Sequence, residues 1–298
     1  MKPEVVLIGP GRVGAAIGRK LHDAGFPFTA VISRDQQRGL DATGFIGCDP
    51  SIATTDLCQA RQGDIILLAV PDDQIRAMAQ RLQDDIGLTR EPTLVHFSGL
   101  QPADIMKVAG SNVATISMHP LLPFANREMA CTGLTGCPCA IEGDVAKLSL
   151  AKKLVTAIGG KAFHLRTDTK ALYHAAACIT SNYLVTLTAA ALELMVQCGF
   201  NQQQAMELLS PIHRATSDNL ISLGAEAALT GPIVRGDIGT VKEHIWALEE
   251  NAPDFCELYS CLGKKTVDLA RISGRLQEEK AIELQNILTA SEDDKRDT

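Results

Sequence analysis

The tightest constraint on this chain lies near its start. Gly9-Pro10-Gly11-Arg12-Val13-Gly14 follows the apolar run Val5–Ile8 and opens the amphipathic stretch Arg12–Ala24. Strand, glycine turn and helix in that order form the first half of a βαβ unit that holds a dinucleotide diphosphate. Each glycine has its own reason: Gly9 makes the tight turn, Gly11 lets backbone approach the pyrophosphate, and Gly14 lets the helix pack on the strand. The phosphates then meet unpaired N–H groups at the helix N-terminus. Positions 9 to 14, including Pro10, Arg12 and Val13, are expected to contact the cofactor.

The pattern around this motif is alternating. Strands are expected at Val5–Ile8, Phe28–Ser33, Asp64–Val70, Thr93–Phe97, Val113–Met118, Pro138–Glu142 and, last, Lys161–Arg166. Near-continuous apolar runs such as Ile65–Val70 suit strands covered on both faces of a parallel sheet. Helical segments at Arg12–Ala24, Asp72–Asp85 and Val145–Ile158 separate them. Beyond residue 166 the pattern is helical throughout: Thr169–Cys198, Asn201–Leu223, Thr240–Glu250, Asp254–Ser273 and Glu278–Ala290. The fold class is therefore α/β: a Rossmann-type, doubly wound parallel sheet over 1–166, followed by an all-α domain over 167–298.

Composition narrows the partners. The chain has 298 residues and a net charge of -7, which disfavours nucleic acid as principal partner. A strand-like run begins almost at once, at Val5, so no leader segment is expected, and nine cysteines without a framework suggest a reduced, cytoplasmic protein. Ala171–Ala191 comes nearest to a membrane span, but His174, Thr180, Ser181 and Asn182 interrupt it, and no span is expected. Cys137-Pro138-Cys139 supplies only two thiols, too few for a zinc site, so no metal is expected and packing is the simpler reading.

The second expected strand ends in Ser33-Arg34, with Asp35 following. An acidic residue at the strand end would bind a ribose 2′-hydroxyl. Serine and arginine there suit a 2′-phosphate, which favours NADP(H) over NAD. Val70-Pro71 closes a later strand at the cofactor edge, and Asp72 can cap the helix that follows.

Two further strand ends are polar. Ser98 follows Phe97, and His119 follows Met118. Carboxyl ends of parallel strands open into the ligand crevice, so His119 could pass a proton to a substrate as hydride arrives, and Ser98 could orient that substrate. In the helical half, Lys170 and His174 share a helix face, with Ser181 and Asn182 two turns on. Lys170, His174 and Asn182 are candidates to polarise or protonate a substrate. Arg235 could grip a carboxylate bidentately, with Asp237 and Thr240 beside it. His244 reads better as a structural residue, as do His22, His96, His164 and His213.

With these residues in view, the chain resembles the superfamily of ketopantoate reductase, pyrroline-5-carboxylate reductase, 6-phosphogluconate dehydrogenase and prephenate dehydrogenase. It is more closely similar to bacterial oxidoreductases that join a Rossmann domain to a 6-phosphogluconate dehydrogenase C-terminal-like helical domain. Gly9–Gly14, His119–Pro123, Tyr173–Ala177, Ser181-Asn182 and Gly231–Asp237 carry that similarity. The resemblance implies an active site between domains and a homodimer built from the helical domains. Ketopantoate reductase implies a catalytic lysine at Lys170, although His174 stands where its asparagine is expected. Prephenate dehydrogenase implies a catalytic histidine at His119-Pro120 and a serine at Ser98. The leading expectation is NADPH-dependent reduction of a small keto acid such as ketopantoate. The alternatives are imine reduction of the pyrroline-5-carboxylate reductase type, a prephenate dehydrogenase-like activity, and a non-catalytic NADP(H) sensor.

Overall fold

A computed structural model of the chain describes residues 2–88 and 91–293. Internal contacts divide it into two compact units, one ending at Asn182 and the other beginning at Tyr183.

The first unit is built on an eight-stranded sheet with strands β1 (Val5–Ile8), β2 (Phe28–Ile32), β3 (Ala53–Thr54), β4 (Ile65–Leu68), β5 (Thr93–His96), β6 (Ala114–Pro120), β7 (Pro138–Gly143) and β8 (Lys161–His164). Their spatial order is β3-β2-β1-β4-β5-β6-β7-β8. Helices α1 (Arg12–Asp23), α2 (Gln36–Ile46), α3 (Asp72–Arg81), α4 (Arg127–Gly133) and α5 (Leu148–Ala157) pack on the two faces. Alternation along single strands explains the continuous apolar runs. On β1, Val5 and Leu7 join one core with residues of α1, α2, α4 and α5, while Val6 and Ile8 join a second core with Ile75 and Ala79 of α3. Both faces are covered, so every position of β1 and β4 is buried.

The sheet departs from the expected all-parallel arrangement at one place: β6 and β7 pair antiparallel, with His119 opposite Ala140. The chain leaving β6 turns back at the same sheet end, where Leu121 N donates to Pro138 O at 2.8 Å. No full crossover separates these two strands, so parallel pairing is not available. Helix α2 was not anticipated. Its sequence has weak apolar periodicity, and its start is set by Asp35, whose carboxylate accepts from Arg38 N at 2.8 Å.

Helix α6 (Lys170–Thr180) belongs by its contacts to the sheet unit, whereas the sequence placed it with the helices beyond residue 166. It runs into α7 (Asn182–Gln197). Ser181, one of the polar residues expected to interrupt this segment, lies between the two helices, and Thr167–Gln197 is by length and composition long and apolar enough to cross a membrane.

The second unit continues with α8 (Gln202–Leu223), α9 (Ala225–Ala228), α10 (Pro232–Arg235), α11 (Ile238–Asn251), α12 (Cys256–Ile272) and α13 (Glu278–Asp293). Its core brings Val241 and Ile245 of α11 against Val267 and Ala270 of α12 and Leu284 and Leu288 of α13. The expected loop at 230–237 contains the short helix α10, and α11 starts before Thr240 because Asp237 caps it.

Candidate active site

The glycine turn behaves as its chemistry requires. Gly9 has φ +83°, and a Cβ there would lie 2.7 Å from Ala69 O. A Cβ on Gly14 would lie 2.7 Å from Gly9 O and 2.9 Å from Ala69 Cβ, so only glycine lets α1 sit this close. Beside Gly11 nothing lies within 4 Å, which leaves the approach open to a ligand. No side chain caps α1, so its first N–H groups are left to a diphosphate.

A cavity of about 460 Å³ opens from this turn. Gly9, Pro10, Gly11, Ser33, Arg34, Val70 and Pro71 line it, as expected from sequence, while Arg12, Val13 and Gly14 do not. The Arg12 guanidinium turns away and donates to Ala125 O at 3.1 Å. The carboxylate of Asp35 is occupied in capping α2. Two arginines that the sequence reading missed join the lining: Arg38, one helical turn after Arg34, and Arg81 at the end of α3. Three guanidiniums around one cavity, in a chain of net charge -7, make a local site for a polyanion. The signal for Arg38 was Asp35 as a helix cap, since capping starts α2 at Gln36 and puts Arg38 in its first turn, next to the strand end.

Ser98 ties this cleft to a second cluster. Its hydroxyl donates to Asp72 Oδ2 at 2.5 Å and accepts from Leu100 N at 3.1 Å and Gln101 N at 2.8 Å. One proton and two lone pairs are thereby used, so Ser98 fixes the loop after β5 and has no capacity left for a substrate. Next in that loop is Gly99. A Cβ here would collide with His174 Nδ1 and lie 2.8 Å from His119 Nε2. The two imidazoles thus close over bare backbone. Their ring centroids are 5.8 Å apart at 82°. His119 Nδ1 lies 2.9 Å from the Tyr173 hydroxyl, with the rings edge to face. His174 Nε2 lies 3.7 Å from Cys178 Sγ, while its Nδ1 is buried without a hydrogen-bond partner among the described residues.

Two groups of this cluster, His119 and Tyr173, are held in their neutral forms near pH 7. Burial, with His174 and Lys170 adding to it, pushes His119 down to about 4. Burial, with Cys139 and Cys137 behind the ring, pushes the Tyr173 hydroxyl up to about 12. Those two cysteines are packed on β7, and burial raises the Cys139 thiol to about 12.

Lys170 meets a different fate from the one expected. Its side chain is 3% exposed. Nζ donates to Ser98 O at 3.1 Å, to Ser117 Oγ, and to Glu142 Oε1 at 3.2 Å. Glu142 in turn accepts from Ala103 N at 2.8 Å and Thr167 Oγ1 at 3.1 Å. Burial draws the ammonium below its usual range, with Glu142 opposing. All three protons of the ammonium are engaged, so it is a strut between β5, β6, β7 and α6 rather than a group free to polarise a carbonyl. His96 is also structural: Nδ1 accepts from Ser98 N, Nε2 faces Pro102 O at 3.2 Å, and burial pushes it down to about 3.

The remaining expected residues are Asn182, at the end of the first unit, and Arg235, Asp237 and Thr240 in the second. Asn182 opens α7 and is exposed. In the second unit, Asp237 Oδ1 accepts from Thr240 N at 3.3 Å as the cap of α11. Arg235 is 64% exposed, with Asp237 at 3.8 Å. His244 pairs with Tyr259 at 2.8 Å.

Residues 4–90 match the family model described as NADP oxidoreductase, coenzyme F420-dependent. Residues 137–266 match a domain of unknown function, DUF2520, which takes in Glu142, Lys170, Tyr173 and His174. No curated protein matches the chain. Among solved structures, the chain is similar to a Bacteroides fragilis protein described as an NADP oxidoreductase, with 20% identity over 91% of this chain and 98% of that one and a TM-score of 0.73. A Thermotoga maritima protein is 25% identical over 90% of this chain and 98% of its own, with a TM-score of 0.69. Pyrroline-5-carboxylate reductase from Coxiella burnetii shares the fold at 17% identity over 95% and 99%, with a TM-score of 0.57. The chain accordingly has a Rossmann fold, with its cofactor motif inside a match to an NADP oxidoreductase domain and the helical half of its histidine cluster inside a match to a DUF2520 domain.

Proposed function

We propose that the chain catalyses hydride transfer from NADPH to a small keto acid, ketopantoate being the first compound to try. The observation that carries this reading is the pair of imidazole nitrogens, His119 Nε2 and His174 Nδ1, brought together against Gly99 just beyond the carboxyl end of β5. The Ser98–Asp72 bond ties that loop to the strand end Val70-Pro71 of the cofactor cleft. The 2′-phosphate falls to Ser33 and Arg34, and Arg38 adds a second guanidinium. When bound, the nicotinamide supplies the hydride. His119 donates a hydrogen bond to the substrate oxygen as a neutral imidazole, the form that its low pKa keeps at neutral pH, and the proton that completes the alcohol comes from solvent. Lys170 stays outside the chemistry.

A second reading, reduction of a cyclic imine, draws on the same neutrality. A protonated imine brings its own proton and asks little of a general acid. NADPH oxidation with keto acids and cyclic imines separates the two. With keto acids, His119→Ala lowers kcat/KM by about 10²–10⁴, and with imines the loss is under tenfold. Full retention of keto-acid turnover in that variant overturns the first reading.

We further propose a cytoplasmic homodimer paired through α7 and α8. These helices leave Val185, Ile212 and Ile221 70%, 64% and 83% exposed, an arrangement that a second copy would cover. The segment's first turns carry Lys170 and Tyr173 into bonds with the sheet unit, which argues against lipid as the cover. Its nine free cysteines suit a reducing compartment. A monomer in sedimentation equilibrium removes the pairing.

A further inference from the structure

We propose that Tyr173 sets the tautomer of His119, so that the proton of the neutral imidazole sits on Nε2, the nitrogen beside Gly99. The inference rests on the reading of His119 as the substrate's hydrogen-bond donor, and it adds a positioning residue to it.

The geometry gives one bond to apportion. His119 Nδ1 and the Tyr173 hydroxyl lie 2.9 Å apart. A neutral imidazole carries one N–H and one bare nitrogen, and a phenol can donate or accept. A phenol is a stronger acid than a neutral imidazole N–H, and the bare imidazole nitrogen is a stronger base than a phenol oxygen. The bond is therefore O–H···Nδ1, and the single ring proton goes to Nε2. The neighbourhood holds both rings in place. Tyr173 stands edge to face against His119 and against Phe163, with centroids 5.6 and 6.1 Å apart. His119 is anchored by the β6–β7 register opposite Ala140. Tyr173 and His174 are successive residues of α6, so the helix that brings His174 Nδ1 against Gly99 also delivers the hydroxyl that meets His119 Nδ1.

Without the phenol, only the modest intrinsic preference of histidine for the Nε2–H form remains, and the Nδ1–H form gains population. The Nδ1–H form would then turn a bare nitrogen toward the substrate oxygen, and two lone pairs would oppose each other. The consequence falls on the chemical step rather than on binding.

The test uses the full chain with ¹⁵N-labelled histidine. Long-range ¹⁵N–¹H correlation spectra read the tautomer without substrate, and the His119 signals are identified by their loss in His119→Gln. The wild type should show the Nε2–H form at neutral pH, and Tyr173→Phe should show the Nδ1–H form or a mixture. With NADPH and whichever substrate class turns over, Tyr173→Phe should lower kcat about tenfold to a hundredfold with KM unchanged. An Nδ1–H tautomer in the wild type, or an unchanged tautomer in Tyr173→Phe, overturns the proposal. A His119→Gln variant with full turnover instead overturns the role of His119, and leaves the tautomer result to stand or fall on the spectra.

Discussion

Lys170 and His174 leave helix α6 one turn apart and meet opposite surroundings. Around Lys170 the polar groups are charged and fully matched: a 3% exposed ammonium has three acceptors, and its carboxylate partner is 4% exposed with two further donors. Around His174 the groups are neutral and incompletely matched, with a buried ring nitrogen that has no partner among the described residues. A buried polar group that is satisfied contributes to architecture. One that is buried and left open costs stability, unless a ligand completes it. The difference separates a strut from a site on a single helix, although both residues looked equally eligible for catalysis.

The largest effect should come from breaking the strut. Glu142→Ala leaves the Lys170 ammonium buried without its counter-charge, and strips Ala103 N and Thr167 Oγ1 of their acceptor. Removing one partner of a buried ion pair costs about 3–5 kcal/mol. Urea denaturation followed by circular dichroism should show that loss, while Glu142→Gln, which keeps an acceptor of the same shape, should lose less. A Glu142→Ala variant within about 1 kcal/mol of the parent, less than the net worth of an ordinary hydrogen bond, would erase the distinction between the two clusters.

The same contrast explains what could be read from sequence. The cofactor turn was legible because its reasons are local: the glycines at 9, 11 and 14 act within one strand–helix junction. The spacing of Lys170 and His174 correctly placed them on one helix face. Their separate fates were not legible, because they depend on partners far along the chain. Glu142 and Ser117 lie 28 and 53 positions from Lys170, and His119 lies 54 from Tyr173. Those meetings are set by strand order and by the antiparallel β6–β7 pair, which apolar patterning does not encode. Tyr173 stood beside His174 in the sequence and gave no sign of its own, since an aromatic on an apolar helix reads as packing. Asp237 shows the converse. It was expected beside Arg235 at a substrate, and it caps α11 instead.

A smaller effect sharpens the neutral side of the comparison. His119 sits near 4 and His96 near 3, against an ordinary histidine value of 6.5. Below pH 6.5 the unfolded chain takes up protons at both positions, while the folded chain stays neutral until its own lower values are reached. The unfolded state then binds more protons, so stability rises with pH across this window and falls as the solution is acidified from 6.5 toward 4. For His119 alone, the loss between pH 7 and pH 5 is on the order of 2 kcal/mol. The measurement is the unfolding free energy of the parent and of His119→Gln at pH 7, 6 and 5. The variant cannot take up that proton in either state, so its stability should decline less steeply, with His96 supplying what slope remains. Parallel declines would mean that His119 is already protonated in the folded protein near neutral pH. His119 would then be a buried cation, and the cluster would resemble the Lys170 strut more closely than its geometry implies.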